Sequence, residues 1–430
     1  MTDRLPVAPI PPDPGLPGVR GLLSSEGTHA LAHILTERRW TLDEARPVQV
    51  LYRPERSCVV RYRVRARTRG GAERVLTMAA ETRRRPADPP APPASFEDRH
   101  GVPDPVGREG PYLVWTFPYD PGLRGLPEAA WGPSVRQSLR RHARGPLAVG
   151  VETVAYRPRR RAVFRYRLLS RRGGRTVFGK VVRGTRAERW RALSDAGRHS
   201  RGPVRLSLPF ARLDDRTMLV DPLPGTSLRE LLLRGEPLPS AERIAGLVRL
   251  PEALPVAAGS RRPDAVTVAE RAAGLLTRLV PESELQIRRV EEAVHREAGR
   301  EPTLIRPVHG DLYEAQVYVA DDFSLGLIDL DDVGSGDPAM DAANFCAHLL
   351  ALALSAPQAA GRLLAHRVLV RRAFAGALGI PESALEWREA LAMLLLATGP
   401  FRVADPRWPQ GVRRRVDLAV RLMGGDQGGP

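Results

Sequence analysis

The residues best suited to chemistry lie between positions 308 and 345, where acidic side chains flank two short apolar runs. The polar turn 320–324 joins the two runs and predicts a hairpin, which would bring Asp311, Gln316 and Asp329 to one end. Phosphoryl transfer needs such a set, because one carboxylate orients the attacking hydroxyl while another carboxylate and an amide oxygen hold magnesium. An ordinary Asp-rich surface turn is the alternative interpretation.

A single lysine stands among the basic residues. Lys180 is the only lysine in the chain, so the other 65 of the 66 basic side chains are arginine. An ammonium on a flexible stem fits between two phosphates, whereas the planar guanidinium is bulkier. The alternative is that lysine depletion is a compositional bias of the whole chain and that Lys180 is its remnant.

An internal repeat supplies the strands around this lysine. The segment 51–63 recurs as 155–167, and each copy continues into a Gly-Gly turn and further strand-like runs. Two copies of one small antiparallel sheet are the simplest explanation, with convergent turn chemistry as the alternative. The repeat aligns Lys180 with Met78, so the first copy is predicted to be a scaffold without a cation at this position.

Helical apolar spacing replaces the strand pattern from about residue 239. The predicted helices span 265–280, 282–298, 362–377, 383–397 and 412–423, with an earlier one around 28–38. A further helix over 184–193 would carry Glu188 behind Lys180, whereas the first copy has the proline-rich segment 85–93 instead.

Composition excludes several classes of protein. A chain of 430 residues with 43% hydrophobic and 27% charged residues is typical of a soluble globular protein with two or three domains. Cys58 and Cys346 lie in different contexts and are predicted to be buried thiols in a reducing cytoplasm. No signal peptide and no run of about 18 apolar residues is visible, so no membrane partner is expected.

The net charge of +17 raises the question of a nucleic-acid partner. The arginines are spread along the chain, and no recognisable nucleic-acid module accompanies them. A nucleic-acid partner is therefore disfavoured, while a phosphate-bearing partner is favoured over a cationic one.

The motifs together resemble the aminoglycoside phosphotransferase and choline kinase-like family, which are small-molecule kinases built like protein kinases. The resemblance covers about residues 150–425 and is carried by three segments: His309-Gly-Asp311 with Gln316, Ile328-Asp329, and 336–341 leading into Asn344-Phe345. It implies ATP and Mg²⁺ as cofactors and a small molecule with a hydroxyl group as the acceptor.

The resemblance also implies a role for each site residue. Asp311 would be the catalytic base or hydroxyl-orienting residue, and Gln316 and Asp329 would bind Mg²⁺. Lys180 would contact the α- and β-phosphates and pair with Glu188.

Further acidic and imidazole groups near these motifs are expected to support them. His309 would stabilise the loop backbone, while Asp337 and Asp341 would cap or brace the helix after Pro338. Asp331 is expected either to assist a second magnesium or to be a solvated loop acid.

Two departures from the family pattern bear on function. Most members have asparagine where this chain has Gln316, and maltokinase-like members are similar in carrying glutamine, which leans toward a sugar kinase. The predicted nucleotide loop 158–162 lacks glycines, so either arginine side chains replace backbone donors or nucleotide affinity is low.

The predicted fold class is α+β, a protein-kinase-like bilobal fold with a small antiparallel-sheet N-lobe and a mostly helical C-lobe, preceded by a duplicated, degenerate N-lobe-like domain. The predicted domains are a cap domain over 1–130, a nucleotide-binding N-lobe over 147–235 and a helical C-lobe over 236–425.

The predicted function is transfer of the γ-phosphate of ATP to a hydroxyl of a sugar, amino sugar or aminoglycoside-like molecule. A pseudokinase, or a nucleotide-binding regulatory module without transfer activity, is the alternative. The pattern does not specify the acceptor, because Trp387, Phe401, Arg402 and Trp408 fit the core or surface as well as a ligand-facing position.

Overall fold

The computed structural model divides the chain into two compact units. The first comprises Met1–Ala187, Phe210–Asp221 and Pro400–Pro409, and the second comprises Glu188–Pro209, Pro222–Gly399 and Gln410–Pro430. The residues described are 7–86, 88–92, 96, 100–103, 105–140, 148–170, 173–184, 188, 192, 204–249, 261–300 and 304–424.

The first unit contains two five-stranded sheets with the same topology. The strands of the first sheet are β1 (Thr41–Arg53), β2 (Ser57–Arg67), β3 (Glu73–Arg83), β4 (Val106–Glu109) and β5 (Tyr112–Thr116), in the order β1-β2-β3-β5-β4. The strands of the second sheet are β6 (Ala148–Arg157), β7 (Arg161–Ser170), β8 (Gly173–Val182), β10 (Pro209–Arg212) and β11 (Thr217–Val220), in the order β6-β7-β8-β11-β10. This shared order confirms that the repeated sequence encodes a duplicated sheet.

The duplication extends to an Asp-Pro-Gly segment that precedes each sheet. The aspartate of each segment accepts hydrogen bonds from a tyrosine hydroxyl near the end of the first strand and from a backbone N–H of the turn that follows. The corresponding residues are Asp13, Tyr52 and Glu55 in the first copy, at 2.8 and 2.7 Å, and Asp120, Tyr156 and Arg159 in the second, both at 2.8 Å. The same pair of hydrogen bonds to an aspartate therefore holds both turns.

The strand register corrects the predicted match between Lys180 and Met78. Lys180 lies opposite Val163, whose repeat counterpart is Val59, and Val59 lies opposite Glu81. The hairpin is longer in the first copy, since Glu81 lies 22 positions after Val59 and Lys180 lies 17 positions after Val163. Because the hairpins differ in length, aligning the two copies on their Gly-Gly turns matches Lys180 to the wrong residue. The residue of the first copy at the strand position of Lys180 is Glu81.

A helical core dominates the second unit. Its small sheet has the order β12 (Thr226–Ser227), β14 (Val317–Val319), β15 (Leu325–Leu327), β9 (Val204–Leu206), and β13 (Arg306–Val308) pairs with β16 (Gly334–Gly336). The α-helices described along the whole chain are Ser25–Glu37, Leu126–Ala129, Gly132–Arg140, Leu228–Arg234, Ala241–Ala245, Ala265–Leu279, Glu284–Ala298, Pro338–Ser355, Ala360–Leu378, Glu386–Leu396, Gly399–Arg402 and Trp408–Met423. This distribution confirms the predicted α+β class.

Capping residues explain where the principal helices begin. The Asp264 carboxylate accepts from the Thr267 N–H at 2.8 Å, and Asp337 accepts from the Ala339 N–H at 2.9 Å, with Pro338 in the first turn. All five helices predicted in the C-terminal half are present with shifted ends; the fourth begins at Glu386 rather than 383 because a 3₁₀ turn precedes it.

The helix Pro338–Ser355 lies at the centre of the second unit. It packs against the helices Ala360–Leu378 and Glu386–Leu396, and Phe345 meets Phe374 edge-on with ring centroids 5.5 Å apart. Within the described ranges, no single helix is long and apolar enough to cross a membrane. Among these residues, one helix pair, Pro338–Ser355 with Pro357–Leu378, meets the criterion by length and composition. The two helices of this pair are bent by 120° relative to each other.

Candidate active site

The predicted catalytic loop is fixed by a buried carboxylate. The loop follows β13, and Asp341 accepts hydrogen bonds from the backbone N–H of His309 at 2.7 Å and of Gly310 at 2.9 Å. Burial raises the pKa of the Asp341 carboxyl, against the opposing effects of His309 and the two N–H donors. Asp341 was expected to cap or brace its own helix, but it instead braces the loop that carries Asp311.

Two further features determine the loop conformation. Gly310 has φ +79°, and a Cβ there would lie 2.4 Å from the carbonyl oxygen of Asp332, so the position requires glycine. The Nε2 atom of His309 lies 3.0 Å from the carbonyl oxygen of Ile328, which assigns its proton to Nε2. His309 is fully buried and supports the loop backbone, as predicted.

The predicted hairpin is present and brings the two proposed metal ligands together. Val317 pairs with Leu327, and the Ile328 N–H donates to the Gln316 carbonyl at 3.0 Å. The pairing continues into the side chains, since Nε2 of Gln316 lies 3.3 Å from Oδ2 of Asp329. Asp329 has φ +60°, a left-handed conformation that costs a non-glycine residue about 1 kcal/mol or more.

The charges of Asp311 and Asp329 both affect the pKa of the Tyr313 hydroxyl. Burial raises the pKa of Tyr313, the negative charges of Asp311 and Asp329 raise it further, and Arg229 opposes them. The two carboxylates therefore share the surroundings of Tyr313. Gln316 and Asp329 therefore meet as the hairpin predicted, while the place of Asp311 beside them stays a prediction.

Arg262 is a site residue that sequence reasoning missed. Its guanidinium donates to the Gly310 carbonyl at 2.9 Å and to a carboxylate oxygen of Asp332 at 3.3 Å. It thereby ties the loop of Asp311 to the turn that follows Asp329. No local pattern marks Arg262 among the many arginines, because it is distant in sequence from both loops.

Two more residues complete the support of the loop. The Asn344 side-chain amide donates to the Leu312 carbonyl at 2.9 Å, from the segment that the sequence motif includes. Asp331 is buried with 4% exposure, so the predicted alternative of a solvated loop acid is wrong for this residue. Asp332 is the acid of this turn that pairs with Arg262.

Lys180 belongs to the first unit and Glu188 to the second. Lys180 lies on β8 between Val163 and Met218 and is 6% exposed. Glu188 is helical and exposed, but most of the predicted helix 184–193 lies outside the described residues. Their pairing stays a prediction.

The aromatic residues left open as acceptor contacts belong to the protein interior. Phe401 is 1% exposed and packs against Tyr52 and Trp408, with ring centroids 6.2 and 5.0 Å apart. Trp408 also donates from its indole N–H to the Ala8 carbonyl at 2.9 Å, and Trp387 is buried. Arg402 is exposed.

Comparison with known protein families matches residues 142–377 to the phosphotransferase enzyme family, abbreviated APH. The chain belongs to this family. As a member of the phosphotransferase family it is a small-molecule kinase that acts on hydroxyl groups. The matched residues include the second sheet and both motifs of the site, whereas the first sheet precedes them.

Solved structures similar to this phosphotransferase include three small-molecule kinases. The aminoglycoside phosphotransferase APH(3'')-Id from Streptomyces rimosus, in complex with ADP and streptomycin, has 21% identity and a TM-score of 0.41, with 60% of this chain and 96% of that chain covered. The macrolide 2'-phosphotransferase MphH from Brachybacterium faecium has 17% identity and a TM-score of 0.41, with coverage of 67% and 97%. A choline kinase from Cryptosporidium parvum has 9% identity and a TM-score of 0.43, with coverage of 64% and 89%. Comparison with curated proteins gave no match.

Proposed function

We propose that this phosphotransferase transfers the γ-phosphate of ATP to a hydroxyl of a sugar, amino sugar or aminoglycoside-like molecule. The observation that supports the proposal most strongly is the approach of Gln316 to Asp329 beside a loop in which Asp341 and Arg262 fix the backbone around Asp311. Phosphoryl transfer depends mainly on positioning and charge stabilisation, so a rigid arrangement of these groups is the principal requirement.

In the proposed reaction the acceptor hydroxyl binds beside the Asp311 carboxylate, which orients the oxygen toward the γ-phosphorus. The bond from the acceptor oxygen to phosphorus forms as the bond from phosphorus to the bridging oxygen of ADP breaks. The hydroxyl proton passes to Asp311, and ADP leaves. The His309 imidazole is not proposed as the base, because it is fully buried and its Nε2 lies 3.0 Å from the carbonyl oxygen of Ile328.

The side chains of Gln316 and Asp329 fit a magnesium ion. One offers an amide oxygen and the other a carboxylate, and their polar atoms already lie 3.3 Å apart. Exchange of the Gln316 amide oxygen and nitrogen by rotation would present two oxygen ligands to one ion. Bound there, Mg²⁺ would neutralise charge on the phosphates of ATP.

Lys180 is proposed to contact the α- and β-phosphates of ATP, with Glu188 as its acidic partner. The support is the family membership of the second sheet and the buried position of this ammonium on β8. A cytoplasmic location belongs to the same proposal, since ATP is available there and the thiols of Cys58 and Cys346 are both free and buried.

The acceptor class is tested by assaying ADP release with Mg-ATP against neutral sugars, amino sugars and aminoglycosides. We expect release above the rate with water alone for at least one class, and a higher melting temperature with Mg-ATP than with EDTA and ATP. A well-folded sample that shows no magnesium-dependent nucleotide binding would rule out the proposed enzyme, and nucleotide binding without ADP release for any acceptor class would support the alternative of a regulatory module.

A further inference from the structure

The turn between β6 and β7 is held by residues of the first copy. This turn, residues 158–160, lies within the predicted nucleotide loop 158–162, and its central residue Arg159 has φ +63°. Both the backbone and the side chain of Arg159 are engaged within the first unit. Protein groups thus hold both the backbone and the side chain of this turn.

Glu81 provides the contact to the Arg159 side chain. It occupies the strand position that corresponds to Lys180, is 3% exposed, and accepts a hydrogen bond from the Arg159 guanidinium. Burial raises the pKa of the Glu81 carboxyl, while Arg159 and Arg83 oppose that effect. Because an unpaired charge at this depth would be costly, the ion pair constrains both partners strongly.

The indole of Trp115 adds a second constraint on the same side chain. The Arg159 guanidinium carbon lies 5.0 Å from the centroid of the Trp115 ring, within the range of a cation–π interaction. The Trp115 N–H donates to the Tyr156 hydroxyl at 2.9 Å, and that hydroxyl donates to Asp120 at 2.8 Å. Because Asp120 also accepts from the Arg159 N–H, these hydrogen bonds link the Trp115 indole to the backbone of Arg159.

Asp120 constrains that backbone. Its carboxylate accepts from the N–H of Arg159 at 2.8 Å and from the N–H of Gly122 at 2.7 Å. Burial raises the pKa of Asp120, and these donors act against the rise. The N–H of Arg159 is therefore committed to Asp120, and its guanidinium to Glu81 and Trp115.

We propose that the first copy is a built-in brace for the nucleotide turn, with its Glu81 as a positioning residue beside Asp120 of the second copy, and with Arg159 excluded from the phosphate ligands. The inference rests on the proposed use of ATP by the second sheet. The turn of the first copy is capped in the same way by Asp13, but it carries Glu55 at the position of Arg159. In this proposal the first sheet positions the nucleotide turn of the second sheet and does not itself bind nucleotide.

Hydrogen exchange tests the brace without nucleotide. In Glu81→Gln we expect the backbone amides of residues 156–162 to exchange about tenfold faster than in the wild type. Glu152→Gln is the matched control, since Glu152 pairs with Arg165 on the exposed face of the same sheet. Unchanged exchange in Glu81→Gln, or an equal increase in the control, overturns the brace.

Steady-state kinetics test what the brace does. We expect Glu81→Gln to raise KM for ATP about fivefold to tenfold, with kcat and the acceptor KM changed less than about twofold. A merely stabilising role would lower the melting temperature and leave KM for ATP unchanged. A lower KM would mean that Glu81 competes with phosphate for Arg159, and either result contradicts the proposal.

A double variant keeps the test decisive if Glu81→Gln folds poorly. Glu81→Gln/Arg159→Gln replaces the ion pair by two amides, and we expect its KM for ATP to be no higher than that of Arg159→Gln. Additive increases would identify Arg159 as a phosphate ligand and overturn the proposal. If the wild type transfers no phosphate, the proposed function fails, and the exchange experiment still decides whether Glu81 holds the turn.

Discussion

The side-chain nitrogen of Gln316 lies 3.3 Å from a carboxylate oxygen of Asp329, although the two residues are 13 positions apart in the chain. The antiparallel register of β14 and β15 produces this approach, because Gln316 and Ile328 are hydrogen-bonded through their backbones. Gln316 is buried with 4% exposure, so its longer side chain is held in place beside the carboxylate.

Replacing Gln316 by leucine preserves most of the side-chain volume and removes the amide oxygen. We expect Gln316→Leu to lower kcat/KM for Mg-ATP about tenfold or more, because magnesium loses an oxygen ligand. Gln316→Asn should lose less, and raised magnesium should partly restore it. A titration of activity against Mg²⁺ measures both effects; equal magnesium dependence in wild type and Gln316→Leu would exclude Gln316 as a ligand.

Arg262 should affect turnover although it is not predicted to touch substrate. Arg262→Gln removes the link between Gly310 and Asp332, and we expect kcat to fall about tenfold through displacement of the catalytic loop. Arg261→Gln changes an exposed neighbour and is the control. If both variants show wild-type kcat in a saturating assay, the loop does not depend on Arg262.

His366 should make stability depend on pH between about 4 and 6.5. Burial lowers its pKa from 6.5 to about 4, and its Nε2 has no hydrogen-bond partner within the described part of the chain. In this range the unfolded chain binds a proton that the folded chain does not, so the free energy of unfolding falls as pH falls, by about 3 kcal/mol at most.

Urea unfolding at several pH values measures this dependence. His366→Leu should reduce the decrease between pH 6.5 and 4, whereas His295→Gln, which changes a half-exposed histidine, should leave it as in the wild type. The same pH dependence in His366→Leu as in the wild type would show that another group causes it.

Lys180→Arg preserves the charge and changes its shape. At 6% exposure the site has little room for a planar guanidinium, so we expect turnover to fall at least about tenfold with KM for ATP raised. Arg175→Lys, on the exposed end of the same strand, is the control. Near-normal turnover in Lys180→Arg would mean that the single lysine is a remnant of the compositional bias of the chain and has no specific role.

Local sequence patterns were sufficient for the hairpin of Gln316 and Asp329, because strand alternation and a polar turn determine which residues meet. They were sufficient for the duplicated sheet as well. The match of Lys180 to Glu81 required the strand register, since the two hairpins differ in length. Arg262 and Asp341 bind the loop of Asp311 from distant segments, and no spacing rule indicates which arginine or aspartate will do so.

Asp311 is proposed to serve phosphate transfer at a site that binds Mg-ATP. The most direct measurement compares ADP release and Mg-ATP affinity in wild type, Asp311→Asn and Asp321→Asn, where Asp321 is an exposed acid in the turn of the same hairpin. We predict that Asp311→Asn loses at least about a hundredfold in kcat with nucleotide affinity within about twofold, while Asp321→Asn matches the wild type. Retained transfer in Asp311→Asn would contradict the proposed mechanism.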